Sequence, residues 1–237
     1  MFIRTESFSS FMAKFPLTTF IIGLQVLLWA FFSLPFKDAP YWFSQADGFN
    51  AAISDGQWWR LITPIFLHAS FTHLFFNTLS LILFAPALEE MLKKGRFALI
   101  YFGSGIAGNA ATYFIQPPDY SHVGASGAIF GLFGCYLFMA FFRKSRMSQA
   151  NAQVLVIILA LSLLTSFFSP STNTVAHFFG LAAGFGLAAI LLKKEAFAHY
   201  TFYSESKRAK PVKWDRKTIL IAVIVLLAVI GIIASIT

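Results

Sequence analysis

Seven apolar stretches, each close to membrane-spanning length and nearly free of charge, constrain this chain more than any other feature. They cover residues 17–34, 61–88, 97–115, 126–142, 151–169, 173–192 and 218–236. A hydrocarbon core of about 30 Å takes roughly 20 apolar residues as a helix, and a helix satisfies its own backbone polar groups there. The fourth stretch is the shortest, at about 17 residues and therefore about 26 Å. Its helix is expected to begin below the membrane surface. The composition fits no ordinary soluble domain: 57% of residues are hydrophobic, 12% are charged, and the mean hydropathy is +0.70. The fold class is therefore an all-α polytopic membrane protein. The first stretch lacks a small-x-small cleavage site and reads as a signal anchor. Cys135, the one cysteine, lies inside an apolar run, which excludes an internal disulfide framework and a cysteine-based zinc cage.

Charge placement predicts the orientation. Sixteen of the eighteen basic residues fall in the N-terminal segment or in the second-to-third, fourth-to-fifth and sixth-to-seventh connections; only Lys37 and Arg60 fall on the opposite side. By the positive-inside rule the N-terminus is cytoplasmic. The net charge of +8 is thus a topology signal, and nucleic acid is not an expected partner. The domain reading is a cytoplasmic segment 1–16, a six-span core 17–192, a basic linker 193–217 and a seventh transmembrane helix 218–237. Within the core, residues 35–60 carry Tyr41-Trp42-Phe43 and Trp58-Trp59, aromatics that favour the headgroup region, so this connection is expected to lie in the interface.

Against this apolar background a few polar residues stand out, because such groups are costly in lipid and commonly mark a site. Ser126 begins the fourth span within Gly124-Ala125-Ser126-Gly127, and His177 lies four residues into the sixth. Both spans run in the same direction, so a sunken fourth span brings the two to a similar depth. A nucleophile needs a base within hydrogen-bond reach, and this pair offers one. Gly127, Gly131 and Gly134 follow Ser126, and Gly180 and Gly184 follow His177, at spacings that let two helices approach closely. His73 and Asn77 share a face of the second span and both donate hydrogen bonds, as an oxyanion requires. His68, opposite Asn77 on an ideal helix, is expected to brace the neighbouring loop, and Asn109 to bond between helices. His122 and His199 lie in connections and carry little signal. All ten acidic residues lie in connections or at span edges. A Ser-His dyad is expected rather than a triad, with packing orienting the imidazole.

The run Trp59-Arg60-Leu61-Ile62-Thr63, then His68, His73 and Asn77, with Gly124-Ala125-Ser126-Gly127 and Ala176-His177-x-x-Gly180-x-x-x-Gly184, resembles the rhomboid intramembrane serine proteases over about residues 58–190. The resemblance implies a rhomboid-like six-helix bundle plus one extra C-terminal transmembrane helix. It implies a catalytic Ser126–His177 dyad, with His73, Asn77 and the backbone N–H of Ser126 stabilising the oxyanion. Substrates would be single-pass transmembrane proteins cut near the outer face, in the lipid bilayer and without metal or cofactor. The inner membrane of a bacterial cell is the expected location. Two departures from the family's pattern are Phe130, where a tyrosine often stacks on the histidine, and Ala85-Pro86, where a glycine-rich turn is common. Two readings compete. One is a zinc enzyme with His68, His73 and His177 as ligands, although no His-Glu-x-x-His pair accompanies them. The other is a non-proteolytic membrane chaperone or helix-binding protein.

Overall fold

The computed structural model describes residue 2 and residues 5–143, 147–169 and 171–192. His199, the basic linker 193–217 and the seventh stretch at 218–236 lie outside the described residues. Among the described residues all regular structure is helical. The long elements are α2 (Pro16–Ser33), α5 (Phe71–Ile115), α6 (Ser126–Phe142), α7 (Gln149–Phe168) and α8 (Thr174–Leu191). A short helix, α1 (Phe8–Lys14), precedes them, and α3 (Ala39–Ser44), α4 (Asn50–Ser54) and two 3₁₀ turns, Trp58–Leu61 and Thr63–Phe66, fill the first long connection. By length and composition α2, α5, α7 and α8 are able to cross a membrane, and α6 is a shorter apolar helix. Lys93, with φ 65° and ψ 160°, breaks α5 into two limbs. Each limb is about 33 Å long at 1.5 Å per residue, so α5 supplies two of the expected spans.

The helix ends explain the buried charges. α2 begins with Pro16, and Phe15 before it offers no side-chain cap. Glu89 of α5, only 4% exposed, supplies one instead. Leu17 N–H donates to its Oε1 at 2.9 Å, while Thr18 N–H and Thr18 Oγ1–H donate to Oε2 at 2.8 and 2.7 Å. A carboxylate at a helix start meets orphan N–H groups and the positive end of the dipole together. At the far end of α8, Arg143 Nε and Nη2 donate to the Leu192 carbonyl at 3.2 and 2.8 Å.

The second span starts later than hydropathy alone suggests. Residues 61–70 are apolar enough to read as helix, yet Pro64 lies in a 3₁₀ turn, and α5 begins only after Ser70, whose Oγ accepts His73 N–H at 3.2 Å. His68 is therefore on the approach to the helix rather than on its far face. The connection before it is folded around Arg60, which is 3% exposed. Its Nη1 donates to the carbonyls of Ser44 and Asp47 and to Asp47 Oδ1, and its Nε to Gln57 Oε1. Tyr41, Trp42, Trp58 and Trp59 stay exposed on this connection, and Pro86 sits buried within α5.

α6 is the centre of the bundle. It packs against α5, α7 and α8, and almost all of its residues from Gly127 to Met139 are buried. α7 is bound on one stripe only, through Ala152, Leu155, Leu159 and Ser166. Ile158 and Leu163 pack partly against the core, while Val154, Ile157, Leu161, Leu164 and Phe168 point away from the protein, as a lipid-facing helix requires.

Candidate active site

The site forms where α6 begins. Gly124 has φ +133°, a conformation that side chains rarely adopt, and its N–H donates to the Pro64 carbonyl at 2.8 Å. The turn leaves Ser126 as the first residue of α6, after Ala125, which provides no side-chain cap. The first N–H groups of a helix have no intrahelical acceptor. Ser126 thus stands at the positive end of a buried, uncapped helix.

Glycine brings α8 against this point. A Cβ on Gly127 would lie 3.3 Å from the Ala176 carbonyl oxygen; one on Gly180 would strike the Gly127 carbonyl, and one on Gly184 the Gly131 carbonyl. The two helices touch backbone to backbone over two turns. His177 follows Ala176 directly and is 6% exposed. Its imidazole stacks on Phe130, one turn after Ser126, with centroids 4.2 Å apart and planes 15° apart. The departure at Phe130 therefore keeps the stack. Nδ1 of His177 bonds Ser166 Oγ of α7 at 2.8 Å. Sequence reasoning missed Ser166, which is one hydroxyl among Ser162, Thr165 and Ser166 in an apolar run.

α5 completes the site. A Cβ on Gly124 would lie 2.7 Å from His73 Nε2 and 3.7 Å from Ser126 Oγ, so the ring and the hydroxyl border the same small space. Asn77 is one turn further on, 6% exposed, and its Nδ2 donates to the His73 carbonyl at 2.9 Å. That uses one of the two N–H bonds of the amide. His68 is buried edge-on to His73, with centroids 5.0 Å apart. Among the described residues no three His, Cys, Asp or Glu side chains are grouped to hold a metal ion, so His68, His73 and His177 do not form the zinc site of the competing reading.

Residues 55–194 match the family model described as Rhomboid domain. YdcA of Bacillus subtilis (strain 168), named for the rhomboid proteases, is 53% identical over 195 residues, 82% of this chain and 98% of that protein. The chain belongs to the rhomboid family. Similarity extends to Rhomboid protease GluP of the same bacterium, 39% identical over 142 residues, which are 60% of this chain and 28% of GluP. RHOMBOID-like protein 5 of Arabidopsis thaliana is 32% identical over 152 residues, 62% of this chain and 48% of that protein. This rhomboid thus spans nearly all of YdcA but less than half of the other two. The matched segment contains His73, Asn77, Ser126 and His177 and stops before residue 218.

The loop histidine of this rhomboid has a different task. His122 Nε2 meets Asn109 Oδ1 at 3.2 Å, its carbonyl accepts Gly48 N–H at 2.9 Å, and Asn109 Nδ2 donates to the Leu61 carbonyl at 2.9 Å. Asn109 thus joins α5 to two loops. Burial pushes the His122 imidazole down to about 4, against a smaller opposing effect of the Gly48 backbone.

Proposed function

We propose that this rhomboid is an intramembrane serine endopeptidase in which Ser126 is the nucleophile and His177 the general base. One observation carries the reading: Ser126 opens an uncapped helix whose next turn carries Phe130, stacked on the His177 imidazole that Ser166 also holds. Kinship with rhomboid proteases supports protease activity in the membrane; the dyad and the roles below are our assignment. Ser126 Oγ attacks a peptide carbonyl as its proton passes to His177 Nε2. The oxyanion forms at the start of α6, where the Ser126 N–H, the His73 ring and the Asn77 amide are the donors. His177 then gives the proton to the departing amine. A water, deprotonated by the same imidazole, releases the acyl group and restores the serine. The chemistry asks for no cofactor.

The substrates we infer are single-pass membrane proteins, cut near the outer face. The basic-residue bias supports a cytoplasmic N-terminus, and the two Bacillus relatives support a bacterial cell membrane. The test is labelling of the detergent-solubilised protein by a fluorophosphonate, together with cleavage of a transmembrane model substrate. Wild type is expected to do both; Ser126→Ala and His177→Ala are expected to lose both while staying folded. Retained cleavage by Ser126→Ala refutes the assignment. Substrate binding without labelling or turnover would favour the non-proteolytic, helix-binding role.

A further inference from the structure

We propose that Ser166 is a positioning residue that fixes the tautomer of His177, with Thr174 holding Ser166 in the accepting role. The inference rests on the dyad reading above and adds to it the group that makes the imidazole a competent base. Ser166 Oγ has two polar neighbours, His177 Nδ1 at 2.8 Å and Thr174 Oγ1 at 3.3 Å. Thr174 Oγ1–H donates to the Ser166 carbonyl at 3.1 Å. That bond uses Thr174's single hydrogen, so between the two hydroxyls Ser166 is the donor. Ser166 Oγ–H then points to Thr174, and only its lone pairs remain for His177. In the arrangement we propose, Nδ1 carries the hydrogen it shares with Ser166. A neutral imidazole holds one N–H, so Nε2 is left bare, which is the form that accepts a proton from a serine.

A carboxylate beside a histidine ring does this work in the Ser-His-Asp arrangement. Among the described residues no carboxylate hydrogen-bonds His177, and a pair of hydroxyls from α7 and the start of α8 serves instead. The pair is local to the site: beyond Leu159, Ser166 is the one buried residue of α7. Ser166 is 4% exposed and meets both His177 and Thr174 of α8 through its Oγ. Because Ser166 belongs to α7 and His177 to α8, displacing the C-terminal end of α7 would remove the acceptor from Nδ1. The other titratable ring within electrostatic reach of His177 is His73 of α5.

The test has two independent readings. The first is ¹⁵N NMR of histidine-labelled protein in micelles, with the His177 signals assigned by their loss in His177→Asn. Wild type is expected to carry hydrogen on Nδ1 and none on Nε2. The second is the rate of fluorophosphonate labelling. Ser166→Ala is expected to label about tenfold more slowly, the worth of one hydrogen bond of about 1–1.5 kcal/mol. Ser166→Thr, which keeps the hydroxyl, is expected to recover most of the rate. Hydrogen on Nε2 in wild type overturns the proposal whatever the variants do, including the case in which Ser166→Ala fails to fold. It is overturned equally if Ser166→Ala labels at the wild-type rate, or if Ser166→Thr is as slow as Ser166→Ala. Failure of wild type itself to label, or labelling that persists in Ser126→Ala, points instead to the dyad reading.

Discussion

Gly184→Ala and Gly186→Ala place the same methyl group two residues apart on α8 and are expected to differ sharply. At Gly184 the new Cβ would collide with the Gly131 carbonyl oxygen and lie 2.6 Å from the Gly131 Cα. All of these are backbone atoms of the central helix, so no side chain is free to turn aside. Restoring an ordinary carbon–carbon contact of about 3.5 Å moves α8 away from α6 by about 1 Å locally. Overpacking of this kind costs about 1–3 kcal/mol. The activity loss should be larger than the stability loss. His177 lies two turns from Gly184 on the same face, and a misplacement of about 1 Å in a catalytic pair costs on the order of 100-fold. At Gly186 nothing lies within 4 Å of the new methyl, so that variant is expected to melt and label like wild type. The assay is thermal unfolding in detergent, paired with the fluorophosphonate labelling rate for both variants. Equal behaviour of the two, harmful or harmless, would refute the claim that backbone contact between α6 and α8 sets the site.

Two further outcomes test the polar framework around the bundle. Glu89→Gln is expected to lower stability by about 1–3 kcal/mol, since a neutral amide with one carbonyl oxygen replaces a carboxylate that takes three charge-assisted bonds at the start of α2; a melting temperature unchanged from wild type would count against that cap. The pH dependence follows from His122, whose folded value of about 4 lies below the ordinary 6.5. Between those values the unfolded chain takes up a proton that the folded chain refuses, so stability falls as pH drops from about 6.5 to about 4, by up to about 3 kcal/mol. Unfolding followed from pH 7 to pH 5 should show the fall, and His122→Gln should lessen it.

How much was legible depends on whether a feature is local in sequence. The bounds of α6, Ser126 to Phe142, coincide with the fourth apolar stretch because a small-residue turn precedes it and Arg143 follows. The glycine stripe after Ser126 on α6, and the face that His177 shares with Gly180 and Gly184 on α8, were readable for the same reason: helical spacing fixes each of them. The start of the second span was not, because residues 61–70 are apolar and only Pro64 and the Ser70 cap reveal that the helix waits until Phe71. Ser166 was hidden by a different cause. α7 is apolar all round, so its hydropathy does not fix its rotation, and nothing local separates Ser166 from Ser162 or Thr165. Glu89 could be read as a residue at a span edge, but its partner lies 71 or 72 residues away at the start of α2.

The capping pattern gives the strongest internal argument for where the chemistry lies. Polar side chains near helix starts in this protein mostly have an end to satisfy: Ser70 caps α5, Ser148 caps α7, Asn173 caps α8, and Glu89 closes α2 from a distance. α6 breaks the rule. It is the most buried helix of the bundle, where an unanswered N–H is most costly, yet Ala125 stands at its cap position and Ser126 falls one residue too late to serve. A serine at position 125 would have stabilised the helix by about 1 kcal/mol. Moving the hydroxyl to 126 gives up that contribution and leaves the helix start open to a negatively charged oxygen from elsewhere. One turn on, Phe130 stacks on a histidine that a hydroxyl also holds in one orientation. An arrangement that is unfavourable for folding and favourable for an oxyanion is what an acyl-transfer site requires.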